Sequence, residues 1–149
     1  MDIIKDNAAG LTGLQQLQAI LAADIPPPIN TKMGFALVEI EEGRAVFEGN
    51  PDSSVYNPIG SVHGGYAATL LDSACGCAVH SRLSAEQRFT TLELKVAYHR
   101  ALSEASGVVR AEGRIVSIGR RTAFAEARLT DGEGRLCATA TSTFLIFQS

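Results

Sequence analysis

Between Asn57 and Ser81 the chain reads NPIGSVHGGYAATLLDSACGCAVHS, a glycine-containing turn that runs into a helix of mostly apolar or small residues. Two features of this stretch have chemical content. Gly64 and Gly65 open the helix, where backbone N–H groups lack intrahelical acceptors and the helix dipole is positive. With no side chains in the way, a carbonyl oxygen can approach those N–H groups closely, which is the geometry of an oxyanion site. Asp72 then stands inside the helix, nine residues after His63. Each feature also has a plainer reading. A Gly-Gly pair alone serves as a turn that lets the chain enter a buried helix, and a helical aspartate can be a solvated surface carboxylate. The combination of Asn57, His63-Gly64-Gly65 and Asp72 is far more specific than either part.

The helix must hold these groups in place, and its faces differ. At about 100° per residue, Ala67, Leu70, Leu71, Ala74 and Ala78 form one stripe, predicted to press on a sheet. Asp72 lies away from the centre of that stripe, on the side that carries Thr69, Ser73 and Gly76. Small residues there allow another backbone to come close. An acid enclosed by a second chain would have a raised pKa and a costly desolvation.

The remaining elements follow from periodicity. Residues 10–24 carry leucines at helical spacing and are ended by IPPPIN, because proline cannot continue a helix. MGFALVEIEEGRAVFEGNP reads as a hairpin, DSSVYNPIG as a loop, and the central helix spans roughly Gly64 to Leu83. Thr90–Tyr98 alternates, as do three further segments over 105–119, 120–134 and 135–147, with turns at SIGR and DGEG. One long helix against one antiparallel meander is an α+β two-layer fold.

A length of 149 residues suits one domain with a proper core, and 46% hydrophobic with 19% charged residues is ordinary for a globular protein. A net charge of −3 gives no reason to expect nucleic acid or an anionic membrane as partner. There is no apolar run of about 18 residues and no basic-then-apolar N-terminal leader, which favours the cytoplasm. Cys75, Cys77 and Cys137 read as small buried residues. Neither they nor His63, His80 and His99 have ligand spacing, so no metal is expected.

NPIGSVHGGYAATLLDSA resembles the signature of hotdog-fold acyl-CoA thioesterases of the phenylacetate-pathway (PaaI) type. The likeness extends through PPPINTKMGFALVEIEEGRAVFEGNP, TTLELKVAYHRAL and SIGRRTAFAEARLTDGEGRLCATATSTFLIF, nearly the whole chain. It implies a curved antiparallel sheet wrapped around one long helix, as a single hotdog domain over residues 31–149. An N-terminal helix and Pro-rich turn occupy 1–30. It also implies edge-to-edge homodimers that pair into a homotetramer, an acyl-CoA substrate, hydrolysis to free acid and CoA, and no cofactor.

The resemblance assigns roles by position. Asp72 matches the acid that acts as nucleophile or as general base on water. Gly64 matches the residue whose N–H binds the thioester carbonyl, with Gly65 beside it. His63 matches the motif histidine, and Asn57 the asparagine that helps place the water. Thr91 matches a Ser/Thr supplied across the dimer interface, with the adjacent Thr90 as the alternative. For His63, a turn histidine bonded to backbone is an equal reading. Arg120 and Arg121 have the charge to grip the phosphates of CoA, although a solvated hairpin turn accounts for them as well. Nine residues of helix span about 13 Å. The glycines and Asp72 of one chain therefore do not reach the same thioester unless the helix begins later than His63, and the partner's acid is expected to meet this chain's glycines.

Two other functions fit the same fold. A hydratase or dehydratase would pair a His with an acid in a different motif, and a non-catalytic acyl-CoA-binding protein would bind without turnover. The acyl group stays open among aromatic, short-chain and medium-chain types. The loop SRLSAEQRFTT and the N-terminal helix are candidates for lining its pocket.

Overall fold

A computed structural model describes residues Met1–Ser149 in full. Helices α1 (Ile3–Asn7), α2 (Gly13–Ala23) and α3 (Pro28–Met33) precede strands β1 (Phe35–Glu41) and β2 (Arg44–Gly49). The long helix α4 (Gly64–His80) follows, then β3 (Gln87–Tyr98), β4 (Val109–Ile118), β5 (Thr122–Thr130) and β6 (Leu136–Gln148). All strand pairings are antiparallel and give one six-stranded sheet in the order β1-β2-β4-β5-β6-β3. This is the expected α+β hotdog arrangement, a sheet with one long helix packed on it. No helix is long and apolar enough to cross a membrane.

The order corrects the simple meander. Only β4, β5 and β6 run as successive hairpins, while β3 lies beyond β6 at the sheet's edge. It pairs with the last strand, Thr91 opposite Phe144, so its place depends on a strand that the local pattern cannot see. The long edge of β3 away from β6 has no neighbour within the chain.

The predicted stripe is the buried one. Ala67, Leu70, Leu71, Ala74 and Ala78 are all at most 3% exposed. Small residues on the facing strands let the helix come close, among them Ala123, Ala125 and Ala127 of β5. Gly113 of β4 is the tightest point. A Cβ there would overlap the Ala74 carbonyl and lie 2.8 Å from the Cys75 nitrogen, both backbone atoms that a rotamer change cannot move. Gly113→Ala is therefore expected to destabilise the fold by about 1–3 kcal/mol, the usual cost of overpacking. Urea unfolding measures this, and an unchanged midpoint would mean that α4 and β4 stand farther apart.

The N-terminal region is richer than one helix. α2 starts one turn later than expected, where Thr12 and Gln15 form a reciprocal capping box. IPPPIN ends α2 but does not exclude helix, because Pro28 occupies the first turn of α3, where a missing N–H costs nothing. α3 thus straddles the expected junction at residues 30–31. The central helix stops at His80 rather than Leu83. The Ser81 hydroxyl donates to the Ala78 carbonyl at 2.7 Å and accepts the Gly43 N–H at 2.8 Å, which turns the chain out of the helix.

α2 docks on the end of α4. The Gly13 N–H donates to the Leu83 carbonyl at 2.9 Å. The Gln16 amide nitrogen donates to the Leu11 carbonyl, leaving its oxygen to accept the His80 Nε2–H at 2.7 Å. Burial, and then the Arg88 guanidinium, push the His80 imidazole down to about 4 from 6.5. The unfolded chain binds a proton more readily than the folded one in that interval. The stability from neutral His80 is thus complete above pH 6.5 and declines as the pH falls towards 4. The effect is on the order of 3 kcal/mol at most. Comparing unfolding free energies of wild type and His80→Gln from neutral to mildly acid pH should show the steeper decline in the wild type. Equal slopes would exclude His80 as the titrating group.

Candidate active site

α4 and β3 run past one another in opposite directions, and their contacts define the site. Tyr98 meets the start of the helix, Thr91 meets its middle at Asp72, and Phe89 packs over Gly76 and against the His80 ring. The Thr91 hydroxyl donates to Asp72 Oδ1 at 3.0 Å. Of the two neighbouring threonines it is thus Thr91 that meets the acid, because Thr90 projects to the other side of the strand. The contact also corrects the expectation that Thr91 comes from a partner. β3 returns beside α4 of its own chain, so threonine and aspartate meet without a second subunit. Asp72 is half-buried and has no ion-pair partner.

At the helix start the two glycines differ. The Gly65 N–H donates to Nδ1 of His63 at 2.8 Å, so it is not a free donor, contrary to the expectation for Gly65. A Cβ on Gly65 would lie 2.9 Å from that same nitrogen, which is why glycine suits the position. His63 is the N-cap of α4, the backbone-bonded histidine that was one of its two readings. The Gly64 N–H has no acceptor in the chain. The Gly64 carbonyl accepts from the Tyr98 hydroxyl at 2.6 Å. A cavity of about 370 Å³ opens in front of it, bounded by His63, Gly64, Tyr98, His99 and Leu102. Tyr98 is a site residue that sequence reading missed; its only signal was an aromatic at the end of an alternating strand.

Because α4 begins at Gly64, eight residues separate it from Asp72, about 12 Å along the axis. The alternative of a late-starting helix, which would have brought the two together, is excluded.

Asn57 has a structural task. Its side-chain oxygen accepts the N–H groups of Ile59 and Ser61, both at 3.1 Å, which closes the loop leading to His63. Its amide nitrogen is unbonded. Arg120 and Arg121 sit in the β4–β5 turn with no acidic partner. Register places that turn at the same end of the sheet as Thr91: Thr90 faces Leu145, which faces Thr122. Two strand spacings, about 10 Å, separate them. The cysteines take no part in thiolate chemistry, since burial pushes Cys75 and Cys77 up to about 12.

The family model of the thioesterase superfamily matches residues 59–138. The 1,4-dihydroxy-2-naphthoyl-CoA hydrolase of Listeria monocytogenes is 27% identical over 76% of this chain and 91% of its own length. The proofreading thioesterase EntH of Klebsiella pneumoniae is 31% identical over 72% of this chain and 77% of its own. Among solved structures, a variant of the phenylacetic acid degradation protein PaaI from Thermus thermophilus superposes with a TM-score of 0.73 at 28% identity. The match covers 80% of this chain and 98% of that one.

Proposed function

From the premise that the chain belongs to the thioesterase superfamily and is a thioester hydrolase, we propose that it cleaves acyl-CoA to a free acid and CoA, with Asp72 and the Gly64 N–H as the reacting groups. The observation that carries this reading is the unpaired Gly64 N–H at the head of the same helix that holds Asp72. A thioester carbonyl accepting that N–H is polarised. Water adds to its carbon as Asp72 takes a proton, and the oxyanion of the tetrahedral intermediate rests on the Gly64 N–H. Collapse breaks the C–S bond, and CoA leaves as thiolate and regains a proton. Direct attack by Asp72, through an anhydride that water then opens, uses the same groups.

Thr91 is a positioning residue. It holds Oδ1 and leaves Oδ2 of Asp72 for the water. Thr91→Ala is expected to lower kcat several-fold, the worth of about 1 kcal/mol in one hydrogen bond. KM should change little, and Thr91→Ser should restore the rate. An unaffected kcat in Thr91→Ala would remove it from the site. His63 keeps Gly64 in place, Asn57 offers its free amide near the entering loop, and Arg120 and Arg121 supply charge for CoA phosphates.

The separation of about 12 Å between Gly64 and Asp72 supports a site built by two chains, Asp72 of one meeting Gly64 of the other. The free edge of β3 offers the pairing surface for a homodimer, and dimers of dimers follow by a second contact. The reading places the enzyme in the cytoplasm, where CoA esters are available. Thiol release from a panel of acyl-CoAs tests it. Saturable binding without thiol release would make the protein a binder instead.

A further inference from the structure

We infer that the substrate's acyl group is an aliphatic chain of medium or greater length, received by a cavity that the N-terminal helices build beside α4. This rests on the thioesterase reading above. The cavity has a volume of about 620 Å³. Packed protein interiors hold few voids larger than one water, whereas ligand pockets run to several hundred Å³. The space is therefore a pocket rather than a packing fault. It is roofed by α1 and α2 and the Pro26–Pro28 turn, and bounded below by β1, β2 and the end of α4. Its roof lies outside residues 59–138, the stretch matched by the superfamily model.

The lining indicates what it accepts. Ile4, Leu17, Ile20, Leu21 and Leu37 are branched aliphatic residues, and Phe47 is the single aromatic among the apolar walls. An aromatic acyl group gains from ring–ring contacts, for which the lining offers only Phe47 and the His80 imidazole already bonded to Gln16. An alkyl chain needs only apolar area. The polar groups at the α4 wall are already satisfied, since the His80 Nε2–H is held by Gln16. Leu21 is 40% exposed, an apolar side chain with unfilled space beside it.

Along the axis of α4 the cavity begins just beyond Asp72, on a face turned about 140° from it around the helix. Cys77, which lines it, follows Asp72 by five residues on α4, about 7.5 Å along the axis. Ser73 stands between them, one turn before Cys77, and both are small. An acetyl or propionyl group attached at Asp72 ends before Cys77. An octanoyl or dodecanoyl chain is long enough to cover that rise and, passing over the small Ser73, the turn around the helix to the cavity.

The experiment uses the full chain with acetyl-, butyryl-, octanoyl-, dodecanoyl- and phenylacetyl-CoA. Each methylene buried in the cavity should raise kcat/KM by up to about fourfold, so octanoyl should exceed butyryl by roughly a hundredfold. Leu21→Phe and Ala36→Phe each push a ring into the cavity without touching Asp72 or Gly64. Each should lower kcat/KM for dodecanoyl-CoA at least about tenfold and leave butyryl-CoA nearly unchanged. Thermal melting checks that both variants are folded, and either alone suffices. Calorimetric binding of free dodecanoate, weakened in both variants, reads the cavity without the chemistry. Equal rates for butyryl and dodecanoyl, faster turnover of phenylacetyl-CoA, or folded variants with unaltered chain-length preference would overturn the inference and leave the thioesterase reading standing. Absence of turnover with every ester would overturn the thioesterase reading itself, even if dodecanoate still binds.

Discussion

Asp72→Asn is expected to lower kcat by roughly 10²–10⁴-fold, the contribution of a general base, and by more if the carboxylate attacks the thioester itself. The substitution is close to isosteric. The Asn oxygen can still accept the Thr91 hydroxyl that Asp72 Oδ1 accepts at 3.0 Å, so the local packing survives and only basicity is lost. Asp72 has no cationic partner to strand, and its charge is half-buried beside the Cys75 and Cys77 thiols. Thermal stability should therefore hold or rise slightly. Steady-state kinetics on the purified variant, with its melting temperature as control, decide the matter. A kcat near the wild-type value would take Asp72 out of the chemistry.

How far such a site can be read from sequence depends on the range of the interaction that creates it. The buried stripe from Ala67 to Ala78 was legible because a helix repeats every 3.6 residues and its partner sheet needs only an apolar face. The side of Asp72 was legible for the same reason. The position of β3 was not, since it comes from pairing Thr91 with Phe144, far along the chain. The error about Thr91 has a different source: its place across a dimer interface came from the resemblance, whereas its hydroxyl meets Asp72 of its own chain. That contact joins β3 to α4 side by side, which neither the alternation of the strand nor the stripe of the helix reveals. The glycine pair shows a finer limit. The excess of free N–H groups at a helix start is a general rule, but which one stays free depends on the His63 ring, whose rotamer takes the Gly65 N–H. Tyr98 and His80 were hidden for a like reason. Each acts through a contact with an element distant in sequence, Tyr98 on the Gly64 carbonyl and His80 on Gln16. The N-terminal segment repeats the lesson. Its prolines correctly ended α2, yet the same residue type is favoured in the first turn of the next helix, so α3 followed where a plain turn was expected.

Gly64→Pro is expected to lower kcat by about 10²–10³-fold, because it deletes the single free N–H proposed to hold the oxyanion. Position 64 is the first residue of α4, where proline fits a helix, and His63 has the extended backbone (φ −58°, ψ 134°) that a following proline requires. The helix should therefore form, as circular dichroism would show. Any Cβ at this position comes within 3.0 Å of the Tyr98 hydroxyl, the movable end of a side chain. Gly64→Ala makes that same contact but keeps the N–H, so it should stay within a few-fold of wild type and separate crowding from donor loss. The pair of lesions also tests whether two chains share each site. If Asp72 of one chain works with Gly64 of the other, a mixed dimer of Asp72→Asn and Gly64→Pro subunits has one doubly defective site and one intact site. Random reassembly after mild denaturation should then return about a quarter of wild-type activity, far above either parent. If both groups came from one chain, every site in every mixed dimer would keep a defect. No recovery, with both parents inactive and subunit exchange verified by mass spectrometry, would mean that Asp72 and Gly64 serve sites within one chain and would overturn the shared site.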